Sequence, residues 1–261
     1  MGLNVTGGTG CGIESSEIAG AYVVLSFLSH FSHSLSSHCF SHFSHRFSHI
    51  SLTFPSSPTG NGDAGVVLDG GDRQMLTPSG HYVTGCTSHH NQRWIMNYAP
   101  DVMLAGVGAT ITDTEIYGSP QIAVFFQGND HSLTGGSVHD AGRQCSDCGA
   151  FYMGREWTYR GNSITGVTFA NLSSIFGKAH GEPSAIYLDD QLSSVTVDSC
   201  TFIQVEGCVM LLGGGRDNHF TNNSKHTSNL PLHICCCVSV LLTPYLLLSA
   251  CWPAPRFVGI C

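Results

Sequence analysis

The stretch that decides the fold runs from Gly149 to Asp217, where one short pattern recurs three times: GAFYMGREW (149–157), SAIYLDD (184–190) and GCVMLLGGGRD (207–217). Each copy begins with a small residue, continues as an apolar run of β type and stops at a cluster of Gly, Asp, Glu or Arg. Around the copies lie segments that start near Asn or Ser and alternate apolar with small polar residues: GNDHSLTGGSVHD (128–140), RGNSITGVTFANL (160–172), SSVTVDSCTFIQV (193–205) and DNHFTNN (217–223). Alternation with period two predicts strands, and the Gly and Asn between them supply turns that tolerate positive φ. Three upstream runs, AGVVLDGGD (64–72), DVMLAGVG (101–108) and QIAVFFQGND (121–130), extend the series.

With the small residue as register mark, Ala123, Ala150, Ala185 and Cys208 are spaced 27, 35 and 23 apart. Such spacing fits a fixed unit of short strands joined by loops of varying length. No helical periodicity intervenes, and a β-propeller would require four strands per blade of regular length. The pattern therefore predicts an all-β parallel β-helix solenoid, in which each strand pairs with its equivalent one coil away, about 4.8 Å along the axis. Residues in one column then stack. Val124, Phe151, Ile186 and Val209 are expected to point inward, and turn Asn residues to hydrogen-bond the next coil.

Composition narrows the function. The 261 residues, 42% of them hydrophobic, suffice for a single large core. The formal net charge is −8, and Lys178 and Lys225 are the only lysines. A nucleic-acid surface needs a basic stripe, so that class is excluded. An extended acidic groove suits neutral or cation-bridged glycans. Twelve cysteines leave the compartment open. Cys145 and Cys148 form a lone CxxC, read either as two small loop residues or as a metal or redox pair. Cys200 and Cys208 read as small buried hydrophobes on strands.

Four segments are expected: a partial coil over 1–23, an insertion over 24–58, the β-helix over 59–224 and an apolar tail over 225–261. The insertion is a Ser-His-Phe run in which His30, His33, His38, His42, His45 and His49 recur every three to five residues. Such spacing fits a metal-binding helix face, but the repetitive composition reads better as a disordered insertion or a retained non-coding stretch. The tail segment 230–252 is long and apolar enough for a membrane span. Pro231 and Pro244 interrupt it and its cationic flanks are thin, so a splicing error is the preferred reading. MGLNVTGG carries no secretory signal, although Gly2 and Thr6 fit a myristoylation pattern. The true start is expected further upstream, localisation stays open, and a monomer is expected.

From about Gly60 to Asn223 the chain resembles the right-handed, single-stranded parallel β-helix proteins of the pectate-lyase-like (pectin-lyase-like) superfamily. Within them it is most similar to glycoside hydrolase family 141, which includes α-L-fucosidases and xylanases. The segments that carry the resemblance are DAGVVLDGGDR, FFQGNDHSLTGGSVHD, SDCGAFYMGREWTYRGNSITG, SAIYLDD and LLGGGRDN. The resemblance implies a plant- or algal-type polysaccharide or oligosaccharide substrate and no metal. It also implies an acidic residue just before the GA-hydrophobic-Tyr run, which is Asp147.

Glycosidic cleavage needs two carboxyl groups. The candidates at the ends of the runs are Asp147 with Asp189 or Asp190, two adjacent carboxylates of which one is expected to face the groove. Aligning the runs puts Gly154 over Asp189 and Arg155 over Asp190. Arg155, Glu156, Trp157, Arg216, Asp217 and His139 are the candidate substrate contacts, Trp157 as a stacking surface beside Tyr159. Two alternatives remain. A polysaccharide lyase would hold Ca2+ with Asp69, Asp72, Asp189 and Asp190 and use Arg155 or Lys178 as base. A non-catalytic glycan-binding domain would keep the aromatic residues and the fold alone.

Overall fold

The computed structural model describes residues 61–177 and 182–226, Gly10, and five short strands outside those ranges. Four of these strands precede residue 61: β1 (Leu3–Thr6), β2 (Gly12–Glu14), β3 (Glu17–Ile18) and β4 (Val23–Ser26). Six consecutive coils follow, each of three strands. They are β5 (Val66–Gly70), β6 (Tyr82–Thr84) and β7 (Thr87–His89); β8 (Val102–Val107), β9 (Thr110–Thr112) and β10 (Glu115–Tyr117); β11 (Val124–Asn129), β12 (Ser132–Thr134) and β13 (Ser137–His139). The last three are β14 (Gly149–Met153), β15 (Asn162–Thr165) and β16 (Thr168–Leu172); β17 (Ser184–Leu188), β18 (Val195–Asp198) and β19 (Thr201–Val205); and β20 (Met210–Leu212), β21 (His219–Thr221) and β22 (Ser224–His226). The last strand is β23 (Ile234–Cys236).

All ladders between these strands are parallel, and they form three sheets. The first has nine strands in the order β23-β20-β17-β14-β11-β8-β5-β1-β4, and the second (β2 to β21) and third (β3 to β22) have seven each. A strand that returns to pair in parallel with itself one coil later crosses over right-handedly, and the molecule is a right-handed, single-stranded parallel β-helix.

Register is set by what points inward. Val66, Val102, Val124, Phe151, Ile186 and Met210 form one stacked column in the first sheet. Val83, Ile111, Leu133, Ile164 and Val197 form another in the second, and Ile116, Val138, Phe169 and Phe202 a third. All belong to one core, with the Phe169 and Phe202 rings stacked at 5.4 Å. One expected position is corrected: Met210, not Val209, continues the column of Ile186, because β20 pairs as Ile186 with Met210. Ala185 is thereby matched to Val209, and Cys208 falls one residue out of the expected register. Cys208 is also not a buried hydrophobe; it is half-buried and disulfide-bonded to Cys235 on β23. Cys145 and Cys148 are likewise disulfide-bonded, whereas Cys200 is buried as expected.

The corner between the second and third sheets is the same in all six coils: two residues, the first with positive φ. Gly85, Asp113, Gly135, Gly166, Ser199 and Asn222 fill that place; all but Ser199 are of the types that tolerate the left-handed region at least cost. The other two corners vary, from two to eleven residues after the first sheet and from four to twelve before it. Loops of irregular length therefore border the first sheet at both edges and the second and third sheets at one edge each. Gly106 and Gly128 stack at the end of that sheet with φ of 87° and 143°, and a Cβ on either would stand 1.9 Å from the carbonyl oxygen of the coil before.

The strand β1 lies directly against β5, so residues 19–65 join coils that are immediate neighbours. The Ser-His-Phe run beyond Ser26 lies outside the described residues, as does the apolar tail except for Lys225 and His226 of β22 and for β23. Lys178 lies outside them too. Among the described residues no helix is long and apolar enough to cross a membrane.

Polar side chains tie coil to coil at the buried corners. His131 Nδ1, Asn162 Oδ1 and Asn218 Oδ1 accept from the backbone N–H of Ala109, His131 and Val195, at 3.0 Å in each case. The amides of Asn162 and Asn218 also donate to carbonyls of Gly128 and Leu192, while His131 Nε2 is buried without a partner. Burial lowers the His131 pKa to about 4. At another corner the fully buried Asp101 accepts from Asn91 Nδ2 (2.6 Å), Gln92 Nε2 (3.1 Å) and the Ser119 hydroxyl. Burial outweighs these bonds and raises its pKa to about 6.

These two groups act in opposite senses. The neutral His131 contributes stability that is present above pH 6.5 and lost as pH falls towards 4. The protonated Asp101 contributes stability that is present below pH 3.8 and lost as pH rises through 6. Relative to the parent, His131→Asn, which places in this coil the residue found at 162 and 218, is expected to gain on the order of 3 kcal/mol of stability at pH 4 over pH 7. Urea unfolding at the two pH values measures this; equal changes in parent and variant would show that His131 is not the titrating group.

Candidate functional site

Because side chains alternate along a strand, the residues between the core positions of the first sheet face outward. Val67, Met103, Phe125, Tyr152, Tyr187 and Leu211 form that outward column across six coils. Phe125, Tyr152 and Ile122 make a second apolar cluster with Met103 and Tyr187, separate from the interior. Edge-to-face contacts link Phe125 to Tyr152 (5.3 Å) and Tyr152 to Tyr187 (5.6 Å). Tyr98 reaches this floor from the loop between β7 and β8. Its ring lies 6.2 Å from Phe125 and 6.0 Å from Tyr152, and its backbone N–H is held by Gln121 Oε1 at 2.8 Å.

A polar centre closes one end of this floor. The Tyr152 hydroxyl donates to Asp189 Oδ2 (2.9 Å), and Arg155 Nε donates to the Tyr152 oxygen (3.2 Å). Arg155 Nε also lies 3.8 Å from Asp189 Oδ2 and 4.0 Å from Asp190 Oδ2, and its guanidinium stands over the Tyr98 ring at 5.5 Å. Asp189 sits between two glycines of the neighbouring coils. A Cβ on Gly154 would come 2.6 Å from Asp189 Cβ, and one on Gly213 2.7 Å from the Asp190 nitrogen. Side chains there would displace the turn that presents both carboxylates. The aligned runs thus do bring Arg155 to Asp189 and Asp190, and of the pair it is Asp189, the less exposed, that bonds the floor.

Burial, the bond to Asp189 and its negative charge together raise the Tyr152 pKa above the ordinary tyrosine range. The bond to the Tyr152 oxygen leads the causes that raise Arg155. Tyr152 is therefore a neutral hydroxyl between a permanent cation and a carboxylate.

Asp147 is not brought to this centre. It is exposed on the turn before β14, whereas Asp189 follows the end of β17, at the other end of the same strand column. Five strand residues separate the two ends by roughly 17 Å, beyond the roughly 5–9.5 Å of a glycosidic carboxyl pair. Asp69 and Asp189 are likewise four coils apart, about 19 Å, so Asp69, Asp72, Asp189 and Asp190 do not make one cation site. No group of three His, Cys, Asp or Glu able to hold a metal occurs among the described residues. His139 is on the outer face of the third sheet, stacked on Tyr117 at 4.9 Å and bonded to Asp140 and Glu115.

The remaining candidates line the loops after the first sheet. Glu156 Oε1 accepts from Thr158 N and Oγ1, which lowers its pKa. Trp157 is exposed beside it. Arg216 and Asp217 face each other at 3.7 Å, one coil beyond Asp189. Residues missed in the sequence are Tyr98, Phe125, Tyr152 and Tyr187. Tyr152 and Tyr187 hold the same place in GAFYMGREW and SAIYLDD, a signal that was present; Tyr98 gives none, because its contact is made by a loop.

No protein-family model matches the chain, and no curated protein matches its sequence. Among solved structures the chain is similar to the A-module of the mannuronan C-5 epimerase AlgE6 of Azotobacter vinelandii. The identity is 11% and the TM-score 0.49, over 87% of this chain and 56% of that one. The chain thus spans little more than half the length of that module, and the fold assignment stands on strand pairing alone. These comparisons do not include glycoside hydrolase family 141.

The neutral state of Tyr152 is open to spectrophotometric titration. Tyrosines ionise near pH 10 when exposed, and Tyr152→Phe is expected to leave that alkaline absorbance step unchanged in height. A step smaller by one tyrosine would contradict the geometry.

Proposed function

We propose that the protein acts on a polysaccharide laid across the outer face of the first sheet, and that it hydrolyses it. The observation that carries this reading is an outward aromatic cluster that ends at a carboxylate pair: Tyr98, 47% exposed, lies against the buried Phe125 and Tyr152, with the half-buried Tyr187 beside them. Aromatic faces pack on the apolar faces of sugars while polar tips stay wet. Asp189 and Asp190 both stand within 4.0 Å of one guanidinium nitrogen, close enough together for the two carboxyl groups of glycosidic cleavage, roughly 5–9.5 Å apart.

In this reading Asp189, held by Tyr152 and close to Arg155, acts as nucleophile or as the base that activates water. Asp190, more exposed on the same turn, protonates the leaving oxygen. Arg155 lies beside Asp189 and stands over the Tyr98 ring. Arg216 and Asp217 extend the face by one coil. Asp147 has no part in the reaction. No step needs a metal, which separates this reading from a lyase.

Asp189→Asn and Asp190→Asn are each expected to lower kcat at least a hundredfold, with Asp147→Asn near the parent. New reducing ends from a panel of plant and algal polysaccharides give the rate. Turnover that survives in Asp189→Asn would remove the assignment. Products with an unsaturated, ultraviolet-absorbing end, lost on adding chelator, would indicate a lyase instead.

A further inference from the structure

Three stretches of the chain read Asn-x-Ser or Asn-x-Thr with no proline between: Asn4-Val5-Thr6, Asn171-Leu172-Ser173 and Asn222-Asn223-Ser224. This is the acceptor pattern for an N-linked glycan, and it has physical meaning only where the folded chain leaves the amide in solvent. The first lies on β1, which has β4 on one side and β5 on the other. The asparagines of the other two are exposed. Both take the left-handed conformation, with φ of 53° each. Asn222 opens the corner between β21 and β22, and Asn171 is passed over by the ladder that joins β16 to β19.

The hydrogen bonds of these two amides leave room for a substituent. Asn171 Nδ2 donates to Asp140 Oδ1, and Asn222 Nδ2 donates to Asp198 Oδ1 at 2.8 Å. An asparagine amide has two N–H donors, so each nitrogen can carry a sugar and keep the bond that orients it. The buried corner residues Asn162 and Asn218 differ: their amides are spent on backbone carbonyls. Neither stands in the acceptor pattern. The cysteines point to the same chemistry independently. Cys145 is bonded to Cys148 and Cys208 to Cys235, and disulfides form and persist in the oxidising lumen of the secretory route, the compartment in which N-glycans are attached.

We infer that Asn171 and Asn222 are N-glycosylation sites, each taking an oligosaccharide from a lipid diphosphate carrier. The amide nitrogen bonds to the anomeric carbon of the first sugar as the bond from that carbon to the diphosphate oxygen breaks. The nitrogen's proton leaves to a base of the transferase, and the lipid diphosphate departs. Asn171 stands on the third sheet and Asn222 at the corner of the second and third, so neither glycan is borne on the first sheet. The inference does not rest on the polysaccharide reading above.

The test is occupancy in protein purified from the organism that makes it. Trypsin cuts after Arg160, Lys178, Arg216 and Lys225, which isolates the two sites in 161–178 and 217–225. Both peptides are expected to be missing at their unmodified mass. After treatment with a peptide N-glycosidase in heavy-oxygen water they should appear with labelled aspartate at 171 and 222. Asn171→Gln and Ser173→Ala should each remove one glycan from the secreted chain on a gel, and Asn222→Gln and Ser224→Ala the other. The serine variants keep the asparagine and its bond to aspartate, so they separate loss of the glycan from a defect of folding. Recovery of both peptides at unmodified mass from untreated protein would overturn the inference, and recovery of one would strike that site.

Discussion

The structure depends on one constraint: each strand must pair with its own equivalent one coil later, with the same residue facing inward. Columns such as Val102, Val124, Phe151 and Ile186 then pack along the axis, and a shift of one residue would turn every core side chain outward. The two-residue corner between the second and third sheets preserves that register coil after coil. Where the corner is fixed, chain length cannot vary. Insertions are therefore confined to the two edges of the first sheet, and every side chain of the candidate site stands on that sheet or on its loops.

This confinement links fold to chemistry. A stacked sheet offers a regular outward column, here Phe125, Tyr152 and Tyr187, which repeats at about the coil spacing; Phe125 and Tyr152 are buried in it and support the accessible rings of Tyr98 and Tyr187. Loops at its edges add what a regular column cannot. Tyr98 comes over the floor from one edge, and Arg73 crosses from the other edge to Asn129 and Thr158. Glycines at 154 and 213 leave room for the turn that carries Asp189 and Asp190. The same stacking that excludes water from the core holds these groups without help from a ligand.

Much of this was legible in the sequence, for identifiable reasons. Period-two alternation and the Gly and Asn turns marked the coils, because both follow from local backbone preferences; the Asp113 and Ser199 corners came only with the structure. Aligning the runs placed Arg155 beside Asp190, because the register of adjacent parallel strands is a sequence property; the contact with Asp189 came only with the structure. Asp147 misled because it is near GAFYM in sequence, but a strand carries its two ends far apart. Cys208 was misplaced by one residue because the loop before β20 is short and the run alone does not mark where pairing begins. Tyr98 and Arg73 were out of reach, since their contacts span coils through loops whose paths no local pattern encodes. The buried pair of opposed titrations, His131 and Asp101, belongs to the same class: each looks like an ordinary turn residue until the corner closes over it.

The central claim is that the outer face of the first sheet is where a polysaccharide chain lies. The most direct measurement is a crystal structure of the Asp189→Asn protein with a bound oligosaccharide. The account predicts sugar rings against Tyr98 and Tyr187, the accessible rings of that face, with a glycosidic oxygen at the position 190 carboxyl. An oligosaccharide seated on the second or third sheet, with the first sheet bare, would contradict it.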